Sequence, residues 1–534
     1  MNVNDRKEIM MRFHMNKFNE TFRNMCKNSY DIDAFTHITH NDLDGVSCAV
    51  VSNLFNNRRY DTVYTSKMIP ATYDVIKEAL KNQLHHYTMP MGSNNKDLYI
   101  LITDFGSITV DKLYDLASEL LYEYVSEFGY EFTRRTKNLK IHFVVVDHHQ
   151  SIYYNMNSTS DESVQSSIEY KNTADQNSIT FTLDHLYDET TLVQGNNKWL
   201  SPTYKCEIDI MVDMYLSPKY SAAKTLYELV RENNSFNYTL FINDENGHGH
   251  IENVELNLDA AKEYFDLVSK YDTGNGGKFI FDRSSIEKSL DKIDWVNQIL
   301  EDCSPQMILN SALYGLIDDA KSDPDDPDPD DDYKTTGMNN FVFMVSNILT
   351  DKFYPYIANM YKNKDSILYN MEDAEILDSF GYTYHVWKIL SIYAVNRLIK
   401  MTDAYDKYAS GMQYMHIDSK ENNTIYFEGE YEKYGVKFPE GEYDVLYHVY
   451  EDVPDEGVSI NVFAKELMLH YNTENMKHID LCICIYMNSD HTIRKCSLTQ
   501  NPVKGANCYE IAKLNCGGGH IGAAGFTVTN IQKK

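Results

Sequence analysis

The sequence lacks any long apolar run, and this absence excludes one class of protein. No stretch of its 534 residues approaches the roughly 18 uninterrupted apolar residues of a membrane span. The best candidate, 386–399, is interrupted by Lys388, Asn396 and Arg397. The amino-terminal residues mix acids and bases early and lack the apolar core of a secretory signal. We therefore expect a soluble, cytoplasmic protein with no membrane partner.

Paired cysteine motifs are also missing. The nine cysteines are odd in number, scattered, and free of CxxC spacing. This pattern argues against a disulfide framework and indicates reduced thiols in a cytosol-like compartment. Cys482 and Cys484 would lie on one face of a strand, where buried packing is a more common role for cysteine than zinc binding.

Basic residues are few relative to acids. The chain has 49 Lys and Arg against 79 Asp and Glu, which gives a formal net charge of -30. Long nucleic acid is normally held by many Lys and Arg contacts to phosphates, so this balance argues against such a partner. A short or small phosphorylated substrate fits the charge better.

Three strand-like runs end in acids and histidines. Lys140–Val146 is too short for an independent helix and too apolar for a half-exposed strand, so it predicts a strand buried on both faces. The runs 33–39 and 97–103 are also strand-like and end in the same way. The side chains that follow these runs are His40, Asp42 and Asp44, then Asp104, and then Asp147, His148 and His149.

This placement predicts a metal site if the three strands are parallel neighbours. The carboxyl ends of parallel strands share one edge of a sheet, where ligands bind in open α/β folds. Carboxylates crowded together repel one another and have raised pKa values unless a cation neutralises them.

Five motifs, in this order, resemble those of the DHH phosphoesterases. They are HNDLDG at His40–Gly45, TDFG at Thr103–Gly106, VVVDHH at Val144–His149, KYDTG at Lys270–Gly274, and GGGHIGAAGF at Gly517–Phe526. The last is similar to the GGGH…AAGF signature of the DHH-associated substrate domain. The first motif most resembles that of the oligoribonuclease (nanoRNase) branch. Each motif alone is weak, since an isolated HxDxD is usually a turn or a helix cap.

The resemblance implies a site for two divalent cations. His40 and Asp42 would hold the first ion, Asp44, His148 and Asp272 the second, and Asp104 would bridge both. Mn²⁺ is favoured by this oxygen-rich ligand set with two imidazoles, and Mg²⁺ is possible. The catalytic residues would then be Asp104, His148, His149 and Asp147, with Asp147 orienting ligands and His149 facing the substrate phosphate.

The resemblance also implies a substrate-binding loop. Gly517, Gly518 and Gly519 would let the backbone approach a phosphate and expose N–H donors to it, with His520 beside them. The alanines that follow, 523 and 524, would let a helix pack closely. One departure concerns substrate recognition: the family has Ser-Leu-Arg upstream, whereas here Ser497-Leu498 is followed by Thr499. Arg494 or Lys495 could substitute for the missing arginine.

The rhythm of strands and helices predicts an α/β protein. A parallel-sheet DHH domain and a smaller mixed α/β C-terminal domain would be joined by a helical linker with insertions. The predicted divisions are an N-terminal helix (1–30), the catalytic domain (31–290, with an insertion at 151–215), the linker (291–440, with an acidic loop at 318–332) and the substrate-binding domain (441–534).

The leading functional hypothesis is a metal-dependent phosphodiesterase. It would hydrolyse very short oligoribonucleotides or dinucleotides to nucleoside monophosphates, as an oligoribonuclease-like exonuclease with no long nucleic acid as partner. The first alternative is a cyclic-dinucleotide or other nucleotide phosphohydrolase, which would use the same metals and glycine loop. The second is a non-catalytic, nucleic-acid-binding DHH scaffold, which predicts broken motifs; none of the six proposed ligands is missing.

Overall fold

The structure, a computed structural model, describes most of the chain as two compact units. One unit comprises 1–148 and 155–256, and the other comprises 149–154 and 257–534. The predicted N-terminal helix at 1–30 lies outside the described residues. The described residues are 35–56, 62–65, 71–88, 96–106, 108–136, 138–149, 169–172, 179–182, 207–217, 220–231, 238–243, 249–272, 303–321, 333–350, 382–420, 423–450, 460–475, 478–487, 493–501, 503–519 and 521–534.

The first unit is built on a seven-stranded sheet. Its strands are β1 (Phe35–His40), β2 (Thr62–Thr65), β3 (Asp97–Thr103), β4 (Lys140–Asp147), β5 (Glu169–Asn172), β6 (Ile179–Thr182) and β7 (Glu207–Leu216). Their order in the sheet is β2-β1-β3-β4-β7-β5, with β6 also paired to β7. The first five strands in this order are mutually parallel, and β5 and β6 run antiparallel to β7.

Helices connect the parallel strands, as expected for an α/β fold. They are α1 (Leu43–Asn56), α2 (Ala71–His85) and α3 (Val110–Arg135). Helix α4 (Ala222–Arg231) follows β7, and β8 (Tyr238–Asn243) and β9 (Gly249–Val254) form a separate hairpin. The run Val144–Val146 in β4 is completely buried, which agrees with a strand covered on both faces. The predicted α/β class with a parallel sheet is confirmed.

The strand order reverses between β1 and β3. From β1 the chain passes to β2 on one side and then crosses back to β3 on the other. Connections therefore leave in opposite directions at the carboxyl ends of β1 and β3, which opens a crevice there. The first two acid-bearing motifs follow these two strands, so topology places them at the position in the sheet best suited to bind a ligand.

Strand β7 corrects part of the predicted insertion at 151–215. It lies within the sheet, where it pairs in parallel with β4. The buried apolar residues of β7 occupy every second position, at Ile208, Ile210, Val212 and Met214, and two of the residues between them are Asp209 and Asp213. The acidic residues between them obscured a period-two pattern that is typical of a strand.

The second unit combines helices with a mixed sheet. The helices are α5 (Leu258–Asp272), α6 (Pro305–Lys321), α7 (Tyr333–Ile348), α8 (Tyr382–Ser410), α9 (Ile460–Asn475) and α10 (Cys508–Leu514). The strands are β10 (Gln413–Asp418), β11 (Thr424–Glu428), β12 (Glu432–Lys437), β13 (Glu442–Val449), β14 (Leu481–Met487), β15 (Arg494–Gln500), β16 (Gly518–Gly519), β17 (Ala523–Thr527) and β18 (Asn530–Lys533). None of the described helices has the length and hydropathy that a membrane span requires.

The main sheet of this unit has the order β10-β13-β14-β15-β17-β16, and β11-β12-β18 form a second sheet. Both parallel and antiparallel pairs occur in the main sheet, which confirms a mixed C-terminal α/β region. Ala523 and Ala524 belong to strand β17, so the prediction that they let a helix pack closely is wrong. Small side chains there allow the short strand β16 to pair closely with β17.

The acidic segment predicted as a loop at 318–332 begins inside a helix. Residues 318–321 complete α6. The carboxylate of Asp318 lies 2.7 Å from Nζ of Lys400 and 3.5 Å from Nη1 of Arg397, both on α8. These cations from a neighbouring helix explain why the first acids of the run are ordered. The rest of the predicted loop lies outside the described residues.

Candidate metal centre

The turn between β1 and α1 brings His40 and Asp42 into contact. Nδ1 of His40 lies 2.8 Å from Oδ2 of Asp42. The other carboxylate oxygen of Asp42 accepts a hydrogen bond from the Gly45 N–H at 3.0 Å, so Asp42 also caps α1. Burial alone would raise the pKa of Asp42, but attraction to His40 and the hydrogen bonds from His40 and Gly45 lower it overall. Asp42 is therefore held as a carboxylate.

Asp44 is fixed by a helix that lies far away in the sequence. Its two oxygens accept hydrogen bonds from the backbone N–H groups of Ala222 at 2.7 Å and Ala223 at 3.1 Å. These groups begin α4, and a helix N-terminus favours negative charge. Asp44 is only 1% exposed. Burial is the main reason why its pKa is raised, partly offset by His148.

Asp104 follows β3 in an unusual backbone conformation. Its φ is 62°, in the left-handed region that few non-glycine residues adopt. The Asp104 N–H donates to the carbonyl of Val146 on β4 at 3.1 Å, which holds this turn against the neighbouring strand. Strained residues of this kind cluster at functional sites, and the side chain is buried here.

Asp147 and His148 end β4 beside Asp104. The carboxylate of Asp147 accepts the His148 N–H at 2.6 Å, and its backbone carbonyl accepts the Ser217 N–H. Nε2 of His148 lies 3.3 Å from Asp104 and 3.7 Å from Asp44. Asp147 thus orients the backbone that carries His148, whose ring faces two carboxylates.

The structure brings these side chains together in two groups that share Asp104. Ligand atoms of His40, Asp42 and Asp104 lie within 4.8 Å of one another, and the same holds for Asp104, Asp147 and His148. Three motifs that are distant in sequence therefore meet at one edge of the sheet. The roles of these residues as metal ligands, which the DHH resemblance implies, stay predictions.

Two residues of the predicted catalytic and metal site belong to the second unit. His149 is the first residue after the boundary between the units, and Asp272 is the last residue of α5. The role of His149 toward substrate and the role of Asp272 as a metal ligand stay predictions.

The glycine motif has a structural role at two of its positions. The Gly517 N–H donates to the carbonyl of Ala512 at 2.8 Å, and a Cβ at Gly517 would overlap the carbonyl oxygen of Gly525. Gly519 has a φ of 130°, which favours glycine. The expectation that Gly517 exposes its N–H to an anion is therefore wrong, because the N–H is used at the end of α10. Gly518 pairs with Gly525 in the sheet, and His520 lies outside the described residues.

Arg494, proposed as a substitute for the family arginine, has two partners within its own unit. Its Nη1 donates to the carbonyl of Tyr450 at 2.7 Å, and its guanidinium lies 5.2 Å from the centre of the Tyr434 ring. Thr499, at the position of the family arginine, donates to Oδ1 of Asn461 at 2.8 Å. A role for Arg494 in substrate binding stays a prediction.

A buried histidine that the sequence analysis missed lies behind the metal loop. His37 is completely buried in β1, and its ring nitrogens lie 2.9 Å from Oγ1 of Thr103 and 3.1 Å from Oγ of Ser52. Burial lowers the pKa of His37 to about 3. Three residues before a predicted ligand and within an apolar strand, it offered no sequence signal beyond its polarity.

This buried ring predicts a pH-dependent stability. The pKa of His37 is lower in the folded than in the unfolded chain, so the folded state binds fewer protons and loses stability as pH falls below about 6.5. At pH 4 the loss from this group should be about 3 kcal/mol relative to pH 7. Urea unfolding of metal-free protein should show a shallower acid-side decline for His37→Gln than for wild type. Parallel profiles for the two proteins would contradict a neutral buried His37.

Comparison with known proteins gives matches to solved structures only. No protein-family model and no curated protein matches the chain. One similar structure is the pGpG-specific phosphodiesterase PggH from Vibrio cholerae, at 10% identity and a TM-score of 0.30, covering 92% of this chain and 93% of that one. Another is RecJ from Thermus thermophilus in complex with Mn²⁺, at 9% identity and a TM-score of 0.33, covering 96% of this chain and 52% of that one.

A third similar structure is the DHH domain of a member of the s1p family of ribosomal proteins. It has 11% identity and a TM-score of 0.36, covering 97% of this chain and 87% of that one. Because these identities and TM-scores are low, we infer function from the residues of the site.

Proposed function

We propose that this chain is a metal-dependent phosphodiesterase of the DHH type, acting on very short oligoribonucleotides or dinucleotides and releasing nucleoside monophosphates. The observation that carries the proposal is the shared position of Asp104. Its carboxylate belongs both to the group with His40 and Asp42 and to the group with Asp147 and His148. A carboxylate between two ligand groups is what a pair of neighbouring cations requires.

The donor atoms fit hard divalent cations. Carboxylate oxygens and imidazole nitrogens make up the groups, with no thiolate among the described members, which favours Mn²⁺ and allows Mg²⁺. Asp44, Asp104 and Asp147 are each at most 3% exposed. Buried carboxylates at this spacing need positive charge nearby, and divalent ions would supply it.

The proposed assignment of ligands to the two ions is the one that the DHH resemblance implies. His40 and Asp42 would hold one ion, Asp44, His148 and Asp272 the other, and Asp104 both. When bound, such a pair lowers the pKa of water, orients the phosphate and offsets the negative charge that develops on it. The chain itself keeps the ligands in place. Asp147 accepts the His148 N–H, and the first turn of α4 holds Asp44.

The substrate class follows from the charge of the chain. A long strand would gain few phosphate contacts and would be repelled by a chain with 79 acids against 49 bases. A short substrate carries few phosphates and can be held mainly by the ions.

We therefore expect turnover to fall steeply beyond about five nucleotides. The test incubates the purified full chain and Mn²⁺ with labelled RNAs of 2 to 24 nucleotides, with an EDTA-treated sample as control. Cyclic dinucleotides and pyrophosphate in the same panel separate the alternative hydrolases. Degradation of a 24-mer at the dinucleotide rate would contradict the length preference, and absence of any Mn²⁺-dependent hydrolysis would favour the scaffold alternative.

A further inference from the structure

We propose that a buried chain of hydrogen bonds behind the sheet edge positions the metal loop, and that Thr103 is its central positioning residue. These hydrogen bonds run from Ser52 through His37, Thr103 and Thr39 to the backbone carbonyl of Gly45. This inference rests on the proposed function, because positioning matters only if the loop binds metal.

Each link has the distance of a hydrogen bond. Oγ of Ser52 lies 3.1 Å from Nδ1 of His37, and Nε2 of His37 lies 2.9 Å from Oγ1 of Thr103. Thr103 donates to Oγ1 of Thr39 at 2.7 Å, and Thr39 donates to the carbonyl of Gly45 at 2.9 Å. His37, Thr39 and Thr103 are 0% exposed and Ser52 is 2% exposed, so water cannot easily replace these partners.

The carbonyl of Gly45 determines which group donates in each of these hydrogen bonds. Oγ1 of Thr39 lies 2.9 Å from the carbonyl oxygen of Gly45 and 3.4 Å from that of Thr103, and carbonyl oxygens can only accept. The Thr39 hydroxyl therefore donates to a carbonyl, with Gly45 the nearer, and Thr103 must donate to Thr39. Thr103 accepts from Nε2–H of His37, whose Nδ1 is left to accept from Ser52. The neutral Nε2–H tautomer of His37 follows from these hydrogen bonds.

The chain joins the elements that carry the proposed ligands. Thr39 directly precedes His40 at the end of β1, Thr103 directly precedes Asp104 at the end of β3, and Ser52 lies on α1. At the Gly45 end of the hydrogen-bond chain, the Gly45 N–H donates to Asp42 at 3.0 Å. A shift at Thr103 would therefore reach the backbone beside Asp104 and, through Thr39 and Gly45, the carboxylate of Asp42.

Replacement of Thr103 by valine and by serine distinguishes a role of its hydroxyl in positioning the metal loop from a role of its methyl group in packing. Valine keeps the shape of threonine but removes the hydroxyl, which leaves Thr39 and His37 without this partner. Serine keeps the hydroxyl and loses only a methyl group. As a control, Thr136→Val removes a completely buried hydroxyl at the end of α3, where Oγ1 donates to the carbonyl of Phe132 at 2.9 Å.

The experiment measures Mn²⁺ affinity of the metal-free full chain by electron paramagnetic resonance, with melting temperature recorded for each variant. Thr103→Val should weaken Mn²⁺ binding by about 10- to 100-fold, the effect of losing a partner that orients metal ligands. Thr103→Ser should stay within about threefold of wild type, and Thr136→Val should lower the melting temperature without changing affinity.

Wild-type affinity in folded Thr103→Val protein would overturn the inference. If that variant does not fold, Ser52→Ala is the second test, because it removes the hydroxyl at the opposite end of the hydrogen-bond chain from Gly45. Weaker Mn²⁺ binding by Ser52→Ala would support the inference, and unchanged binding would overturn it. Absence of Mn²⁺ binding by wild type would instead overturn the proposed function, so the two failures are distinguishable.

Discussion

Asp104→Asn should lower Mn²⁺-dependent hydrolysis by about 1000-fold or more while the protein stays folded. The carboxylate of Asp104 belongs to both ligand groups, so its loss weakens both proposed ions together. Asparagine keeps the size of the side chain and tolerates the left-handed backbone that this position adopts, with a φ of 62°. Steady-state rates with a labelled dinucleotide measure the effect, and circular dichroism checks the fold.

A matched control lies at the other end of the same strand. Asp97 begins β3, and its carboxylate accepts from Nε2 of His142 at 3.0 Å, away from the carboxyl edge of the sheet. Asp97→Asn should therefore stay within about threefold of wild-type activity, since it touches no proposed ligand. Activity of Asp104→Asn within tenfold of wild type would contradict the two-ion assignment.

Gly45→Ala should destabilise the metal-free protein by about 3 kcal/mol. A Cβ at this position would overlap the carbonyl oxygen and carbon of His40, which are backbone atoms and cannot rotate away. The loop between β1 and α1 would have to move, and Asp42 would lose its hydrogen bond from the Gly45 N–H. Urea unfolding gives the stability change, and Mn²⁺ affinity should fall with it.

Gly522→Ala is the comparison for this substitution. Among the described residues, a Cβ at Gly522 would meet only Oε1 of Gln500 at 3.8 Å, an ordinary contact with the end of a flexible side chain. Its effect on the free energy of unfolding should be below about 1 kcal/mol. Equal stability changes for the two glycines would show that the close approach of Gly45 to His40 is absent in solution.

The sheet edge could be predicted because each motif carries its own structural context. β3 and β4 are almost uniformly apolar up to an acid, and uniform apolar runs with acids at their ends are typical of parallel strands at a binding edge. That pattern is local, so one sequence was enough to place Asp104 and Asp147 at strand ends.

Elements without that pattern were missed. β7 alternates acids with apolar residues, and β10 to β12 are only partly buried and include polar residues. None of these four strands has the uniform apolar sequence that identified β3 and β4. Their strand character depends on the neighbours they pair with, which local sequence does not report.

The supporting contacts of the site were also beyond sequence reasoning. The N–H groups that hold Asp44 come from Ala222 and Ala223, which only the fold brings beside it. His37 and Thr103 look like polar interruptions in apolar strands until β1 and β3 pair. Gly517 shows the opposite case, since a glycine expected to bind phosphate uses its N–H within the fold.

The central claim is that two divalent ions share the carboxylate of Asp104. The most direct test is the number of Mn²⁺ ions bound per chain, measured by equilibrium dialysis and atomic absorption for wild type and Asp104→Asn. We expect two ions for wild type and fewer for the variant. No bound Mn²⁺ in wild type, or two ions retained by the variant, would contradict the claim.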